Sequence, residues 1–492
     1  MSDKLIITKP NDVHIRIECD PHISQELSEY FTFEVPGARF MPAVRNKYWD
    51  GKIRLFNQMT RLIYAGLEFY ITRFAKERGY EVEIQYDNSL QNFSLKEAKE
   101  FADTLDLPFE PRDYQLEAFA HAVRYKRGLL LSPTASGKSL IIYILARYWL
   151  QRLTDGLRYP KRGRVLIVVP TTSLVEQMAG DLVQYGQGAK GIHKIYSGKD
   201  KNSDAAIFIS TWQSIYKLPR EWFEQFGLVV GDEAHLFKSK SLSTLMEKTV
   251  DCKYKFGTTG TLDGTQTHKL VLEGLFGPVK KVTTTKELMD EKHLAEFKIK
   301  CILLEYADEL RKIHSYDTYH DEMDFLVNHE KRNKFIENLS LSLEGNTLLL
   351  FQFVEKHGKI LYNNIRSADL DRKVFFVHGG VDSEIRDQIR GIVEKEERAI
   401  IIASYGTFST GINIRNLHNI IFASPSKSRI RNLQSIGRGL RKSNKKAMAT
   451  LFDVADDLKW KKKYNHTLKH FAVRLKTYDD EQFSYKIYRV KL

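Results

Sequence analysis

Cysteine is scarce: Cys19, Cys252 and Cys301 are the three present, far apart and without a CxxC pair. Their spacing excludes a disulfide-stapled scaffold, argues against a zinc site and fits a reducing cytoplasm. Long apolar runs are missing too. No stretch approaches the eighteen or so residues that a membrane-spanning helix requires, and Met1-Ser2-Asp3-Lys4 opens without a basic region leading into an apolar one. A soluble, cytoplasmic protein is the expectation. There is no internal repeat at a solenoid period and no low-complexity tract, which excludes repeat arrays and biased linkers.

The chain does have length and positive charge. At 492 residues, 42% of them apolar, it exceeds the usual domain several times over, so three or four domains are expected. The net charge of +14 is concentrated: 18 Lys and Arg face 6 Asp and Glu from Pro425 to Leu492, so twelve net charges arise there. Clustered basic residues gain affinity for phosphate chains by releasing condensed counterions, which points to a polyanionic partner. A solvated lysine-rich helix over Trp460 to Lys476 is the plainer reading of the same charge.

From about Arg164, short apolar runs alternate with polar, helix-like stretches: Val165 to Val169, Ala206 to Ile209, Leu228 to Val230 and Tyr254 to Gly257. The rhythm restarts at Leu348 to Phe351 and continues through Val374 to Val377, Ala399 to Ile402 and Ile420 to Phe422. Such runs read as buried parallel strands, so two doubly wound α/β units are predicted. Between them, Thr283 to Gly345 fits a strand or two and connecting helices. The first hundred residues predict a small α+β module, with a strand at Val13 to Ile17 and a helix from Leu67 to Gly79.

Chemistry concentrates first in Ser132-Pro133-Thr134-Ala135-Ser136-Gly137-Lys138-Ser139, between apolar Leu129 to Leu131 and a helical stretch. Strand, glycine-bearing loop and helix together form a phosphate cradle. Gly137 lets successive N–H groups face phosphates, Lys138 adds charge, and the Ser139 hydroxyl suits Mg²⁺. Ser132 stands where the full pattern has Gly. The second concentration is Asp232-Glu233-Ala234-His235, directly after Leu228 to Val230. Asp232 is assigned to the metal and Glu233 to the attacking water. Paired acids after a strand are more often a solvated loop, but two such blocks in order are not isolated.

Together these blocks resemble the superfamily-two helicases and translocases. The others are present: Pro111-Arg112-Asp113-Tyr114-Gln115 is similar to the family's adenine-reading element, with Arg112 and Gln115 as its contacts. Pro170, Thr171 and Thr172, and then Thr211 and Gln213, match blocks that touch the nucleic-acid backbone. Thr259-Gly260-Thr261 resembles the block coupling hydrolysis to strand movement. Leu350 to Phe353 resembles the fourth block, Ser404 to Asn413 the fifth, with Gly411 and Asn413 toward the nucleotide, and Gln434 to Arg441 the sixth. By resemblance Arg441 is an arginine finger, completed by Arg438 and Gln434.

The resemblance implies two RecA-like domains at 96–285 and 286–455, preceded by an accessory domain at 1–95 and followed by a short basic helical tail at 456–492 packing on the motor. ATP and Mg²⁺ are the implied cofactors. Within the superfamily the whole chain is similar to phage recombination helicases. That likeness implies a monomeric, ATP-dependent motor on branched duplex DNA: fork regression, Holliday junction migration, and unwinding of D-loops and RNA–DNA hybrids. Single-strand binding or recombination proteins are the implied protein partners. Residues 39–56 offer independent support, since Arg45, Lys47, Lys52 and Arg54 crowd one hairpin alongside Phe40, Tyr48 and Trp49. A small β-rich domain with ordinary core aromatics is the alternative, and the four clustered basic residues put the nucleic-acid reading ahead of it. An RNA helicase of the Asp-Glu-Ala-His type, a restriction-enzyme motor subunit, and an annealing protein with a vestigial ATP site are the competing readings.

Overall fold

The computed structural model describes residues 3–155, 162–262, 264–369, 371–407, 414, 416–426, 428, 432, 433, 435–437 and 448–492. The chain divides into two compact units: Met1–Ser132 with Gly137–Val282, and Thr283–Leu492, with which Pro133–Ser136 groups. Among the described residues no helix is long and apolar enough to cross a membrane.

The first unit begins with a small module. Its strands are β1 (Lys4–Thr8), β2 (His14–Glu18), β3 (Thr32–Glu34), β4 (Lys52–Arg54), β5 (Leu62–Tyr64) and β6 (Glu81–Ile84). A mixed sheet runs β5-β2-β1-β6, and β3 and β4 form a separate hairpin. Alternation sets its core: Leu5, Ile7, Ile15 and Ile17 are fully buried, while the residues between them reach the surface. The helix Glu68–Arg78 closes that face with Ile71, Phe74 and Ala75.

Seven parallel strands follow: β7 (Arg127–Leu131), β8 (Arg164–Val169), β9 (Ile192–Ile195), β10 (Ile207–Thr211), β11 (Phe226–Asp232), β12 (Tyr254–Thr259) and β13 (Val279–Lys281). Their order is β13-β7-β12-β11-β8-β10-β9. Both faces are covered, which is why these strands read as unbroken apolar runs. In β8, Val165, Ile167 and Val169 pack on one side and Leu166 and Val168 on the other.

The small module is seated directly on this unit. A Cβ on Gly66 would lie 2.0 Å from the Glu273 carbonyl oxygen, and one on Gly274 would lie 3.0 Å from the Tyr64 ring, so glycine on both sides lets the backbones touch. Around that contact the Tyr70 hydroxyl donates to Glu273 at 2.6 Å, and Tyr64 donates to Glu247. Arg127 and Lys255 both donate to the Asp12 carbonyl, at 2.8 and 3.0 Å. Burial pushes the Lys255 amine down to about 8.

The second unit holds β14 (Glu296–Glu305), β15 (Thr347–Phe351), β16 (Val374–Val377), β17 (Ile400–Ser404), β18 (Asn419–Phe422), β19 (Met448–Asp457) and β20 (Tyr485–Lys491). The order is β16-β17-β15-β18-β19-β14-β20, parallel throughout. The basic carboxy-terminal segment is helical over His466–Asp480, as its sequence pattern implies. It then adds a strand that this pattern did not reveal: β20 pairs with β14 from Ile299↔Tyr485 to Glu305↔Lys491. Lys486, Arg489 and Lys491 are exposed at the sheet edge, where charge discourages pairing with another chain.

Candidate ATP and nucleic-acid site

The phosphate loop leaves β7 where the sheet delivers it. The Ser132 N–H donates to the Thr259 carbonyl at 2.9 Å, tying the loop's first residue to the end of the neighbouring β12. Ser132 is fully buried, so the residue that departs from the phosphate-loop pattern is packed into the fold. Two residues of the loop take left-handed backbone, Ala135 at φ 68° and Gly137 at φ 79°. At Gly137 the requirement is double, because a Cβ there would also lie 2.3 Å from Gln115 Nε2. Within the loop, Ser136 Oγ donates to the Pro133 carbonyl at 2.7 Å. Thr134 lies between these two residues. Lys138 and Ser139 start the helix Lys138–Asp155. Lys138 Nζ lies 3.4 Å from the Ser132 carbonyl, and Ser139 Oγ is 2.9 Å from the Tyr185 hydroxyl.

Gln115 is nearly buried on the helix Asp113–Tyr125, and its carbonyl accepts from the Arg112 N–H at 2.9 Å. The amide thus caps its own helix and braces Gly137. The Arg112 guanidinium donates to the Tyr114 hydroxyl at 2.7 Å.

Asp232 ends β11, opposite Thr258 of β12 in register, and the Thr258 hydroxyl donates to its Oδ1 at 2.7 Å. Burial first, and the Glu233 carboxylate second, push the Asp232 carboxyl above its usual range. Lys138 and the Thr258 bond pull the other way.

Glu233 adopts φ 51°, left-handed backbone that a side-chain-bearing residue rarely takes, and this turns the chain sharply off the strand. His235 Nδ1 lies 3.3 Å from Glu233 Oε2 and 3.0 Å from Thr259 Oγ1. Because the Thr259 hydroxyl donates to the Thr261 carbonyl at 3.0 Å, it accepts from His235, which places the imidazole proton on Nδ1. The imidazole is thus hydrogen-bonded to the Thr259-Gly260-Thr261 turn and lies beside the Glu233 carboxylate without donating to it.

The segments expected at a nucleic-acid backbone meet at the carboxyl ends of two adjacent strands. β8 and β10 are neighbours, with Thr211 opposite Val169, and Gln213 Nε2 lies 3.4 Å from the Pro170 carbonyl. Thr171 caps the helix Thr172–Gln184, its hydroxyl 3.4 Å from the Leu174 N–H, and Thr211 Oγ1 is 2.9 Å from Ser214 Oγ. Thr172 and Gln213 are exposed. In the small module Arg45 and Lys47 are exposed and Lys52 half so, whereas Trp49 is half-buried and donates through Nε1 to the Lys52 carbonyl at 2.9 Å.

Comparison with known proteins gives this geometry a context. Over 97% of its length the chain is 37% identical to the ATP-dependent DNA helicase uvsW of Enterobacteria phage T4, covering 98% of that protein. The chain belongs to the UvsW family of DNA helicases. Residues 8–85 match DNA helicase UvsW, N-terminal; 108–264 match Type III restriction enzyme, res subunit; and 330–443 match Helicase conserved C-terminal domain. The crystal structure of T4 UvsW aligns over 100% of both chains, at 36% identity and a TM-score of 0.52. A more distant relative is the DNA 3'-5' translocase XPB2 of Sulfurisphaera tokodaii, 26% identical over 74% of this chain and 88% of that one.

Of the site residues read from the sequence of this UvsW-family chain, Gly411, Asn413, Gln434, Arg438 and Arg441 lie outside the described residues. Thr258, Tyr185 and the His235–Thr259 link were not foreseen. Thr258 had a usable signal, a hydroxyl at the end of the strand beside the acidic pair.

Proposed function

We propose that this chain hydrolyses ATP at Lys138, Asp232 and Glu233 and uses the released energy to move on DNA and separate its strands, with branched duplexes as substrates. One observation carries the reading: 37% identity over 97% of the chain to a phage DNA helicase, in a chain whose phosphate loop and acidic pair follow the carboxyl ends of β7 and β11, on either side of β12 in a parallel sheet. Fork regression, Holliday junction migration and unwinding of D-loops and RNA–DNA hybrids are the reactions we assign to it, in the cytoplasm of the cell where it is made.

Lys138 neutralises phosphate charge, while Gln115 and Arg112 meet the base. Glu233 accepts the proton of the water it orients, and His235, held by Thr259, stands 3.3 Å from that carboxylate. Ser139 and Asp232 offer only oxygen donors, and no cluster of three or more His, Cys, Asp or Glu side chains suited to a metal occurs among the described residues. That donor set fits Mg²⁺, which is commonly held by one or two protein oxygens plus phosphates, and which supplies Lewis-acid stabilisation of phosphoryl charge when bound. We further assign Arg441, Arg438 and Gln434 to the γ phosphate, Gly411 and Asn413 to the nucleotide, and Pro170, Thr171, Thr172, Thr211 and Gln213 to backbone phosphates.

The test is steady-state ATP hydrolysis with no nucleic acid, linear duplex, forked DNA and single-stranded RNA, beside Glu233→Gln. Stimulation by forked DNA that Glu233→Gln abolishes supports the reading. Preferential stimulation by RNA contradicts the substrate, and no stimulated hydrolysis contradicts the motor.

A further inference from the structure

The β3–β4 hairpin carries two rings that its own fold does not use. Residues 35–51, between the strands, fold on themselves. The Val35 N–H donates to the Gly51 carbonyl at 2.9 Å, Met41 to Ala38 at 2.8 Å, and Tyr48 and Trp49 both to Ala43, at 2.8 and 3.1 Å. Trp49 is a strut within this loop, its indole N–H spent on the Lys52 carbonyl.

Small residues face inward. Ala38 is 7% exposed, and a Cβ on Gly51 would lie 2.9 Å from the Ala38 Cβ and 3.6 Å from Val44 Cγ2. The large rings face out: Phe40 is 70% exposed and Tyr48 85%. Lys47, just before Tyr48, holds φ 59°, a conformation that costs a side-chain-bearing residue free energy. Aromatic rings gain by burial, so an internally bonded loop that buries alanine and presents phenylalanine and tyrosine keeps those rings for another molecule.

The surrounding charge says which kind. Arg39, Arg45, Lys47, Lys52 and Arg54 stand against two acids, Glu34 opposite Lys52 and Asp50, which pairs with Arg54. The Arg39 guanidinium lies 4.7 Å from the Phe40 ring centre, so the platform is itself cationic. Flat apolar faces in a positive field suit unpaired bases, whose faces are free, and not duplex bases, whose faces are covered by their neighbours.

We propose that Phe40 and Tyr48 form a stacking platform for unpaired bases of single-stranded DNA at a branch point, with Arg45 and Lys47 on the flanking phosphates. The proposal rests on the DNA-motor reading and adds to it the strand and the residues that grip it. Of the three rings in residues 39–56 it keeps Phe40 and Tyr48 for stacking and leaves Trp49 as a strut.

The experiment titrates the full chain against a fluorescently labelled single-stranded dT oligonucleotide and a blunt duplex of equal length. It compares the wild type with Tyr48→Ala, Phe40→Ala, Tyr48→Phe and Arg45→Ala/Lys47→Ala. Losing a stacked base weakens binding by between about 5-fold and about 150-fold. We expect roughly tenfold weaker single-strand binding for each single alanine variant, with duplex affinity and the salt slope unchanged. Tyr48→Phe keeps the wild-type affinity, and the paired charge variant flattens the salt slope for both ligands. Basal ATP hydrolysis, unchanged in all four, shows that they fold. Single-strand affinity unchanged in both alanine variants, or duplex affinity falling equally, overturns the platform. If DNA still stimulates wild-type hydrolysis in that case, the motor reading survives; if it does not, that reading fails by itself.

Discussion

Arg474 reaches both carboxylate oxygens of Asp453 through Nε, at 3.0 and 2.8 Å, with both side chains shut away from solvent. Its Nη1 donates to the Ser426 carbonyl at 3.2 Å. Arg332 makes the matching arrangement, with Nε and Nη2 on Asp456 at 2.7 and 3.0 Å and Nη2 on the Ala423 carbonyl at 2.9 Å. Asp453 and Asp456 are an odd number of residues apart on β19, so the two pairs lie on opposite faces of the sheet. Together they fasten the segment Ala423–Ser426 that leads to the sixth helicase block.

Breaking either pair strands a buried carboxylate. Arg474→Ala or Arg332→Ala should each destabilise the second unit by about 3–5 kcal/mol, whereas Arg474→Met with Asp453→Leu should recover most of the loss. Scanning calorimetry of the full chain measures this. Single-variant transitions within a degree of wild type would contradict it.

Burying Asp232 beside Glu233 costs the fold stability at neutral pH. Its carboxyl is raised above the ordinary 3.8, so between that value and the raised one the folded chain binds more protons than the unfolded chain. Stability contributed by this group therefore falls as pH climbs through that window, and the penalty is complete above it. Asp232→Asn removes the charge and still accepts from Thr258. It should melt at or above the wild-type temperature at neutral pH, with the gain shrinking on acidification, while hydrolysis is lost. A lowered melting temperature at neutral pH would count against this account.

Much of this was readable along the chain, and the reasons are physical. Strands covered on both faces, such as β8 and β11, leave unbroken apolar runs, and a phosphate loop needs Gly137 and Lys138 at fixed offsets from β7. β20 escaped because an edge strand alternates charge with apolar residues as a solvated segment does. Arg474 lay in a lysine-rich stretch that reads as surface, and its carboxylate partner is far off in sequence. Trp49 and Tyr48 are adjacent aromatics, and only the folded loop distinguishes the strut from the exposed ring.

Gly137→Ala should weaken nucleotide binding at least about tenfold, since φ 79° costs alanine about 1–2 kcal/mol and its Cβ would meet Gln115 Nε2 at 2.3 Å. Calorimetric titration measures it. An unchanged binding constant would show that neither the backbone conformation at Gly137 nor its closeness to Gln115 matters.

Thr259→Val removes the acceptor for the His235 Nδ1 proton while keeping the shape of the side chain. DNA-stimulated kcat should fall about tenfold with KM for ATP little changed, as expected for a group that acts by positioning His235 and not on the nucleotide. A raised KM with unchanged kcat would place Thr259 in nucleotide binding instead.

The most direct test of the central claim is ATP-dependent displacement of a labelled strand from forked DNA by wild type and Glu233→Gln under single-turnover conditions. The account predicts displacement that requires ATP and falls by at least about 100-fold in Glu233→Gln, the smallest loss expected for a general base. Displacement without ATP, or at an undiminished rate in Glu233→Gln, would contradict it.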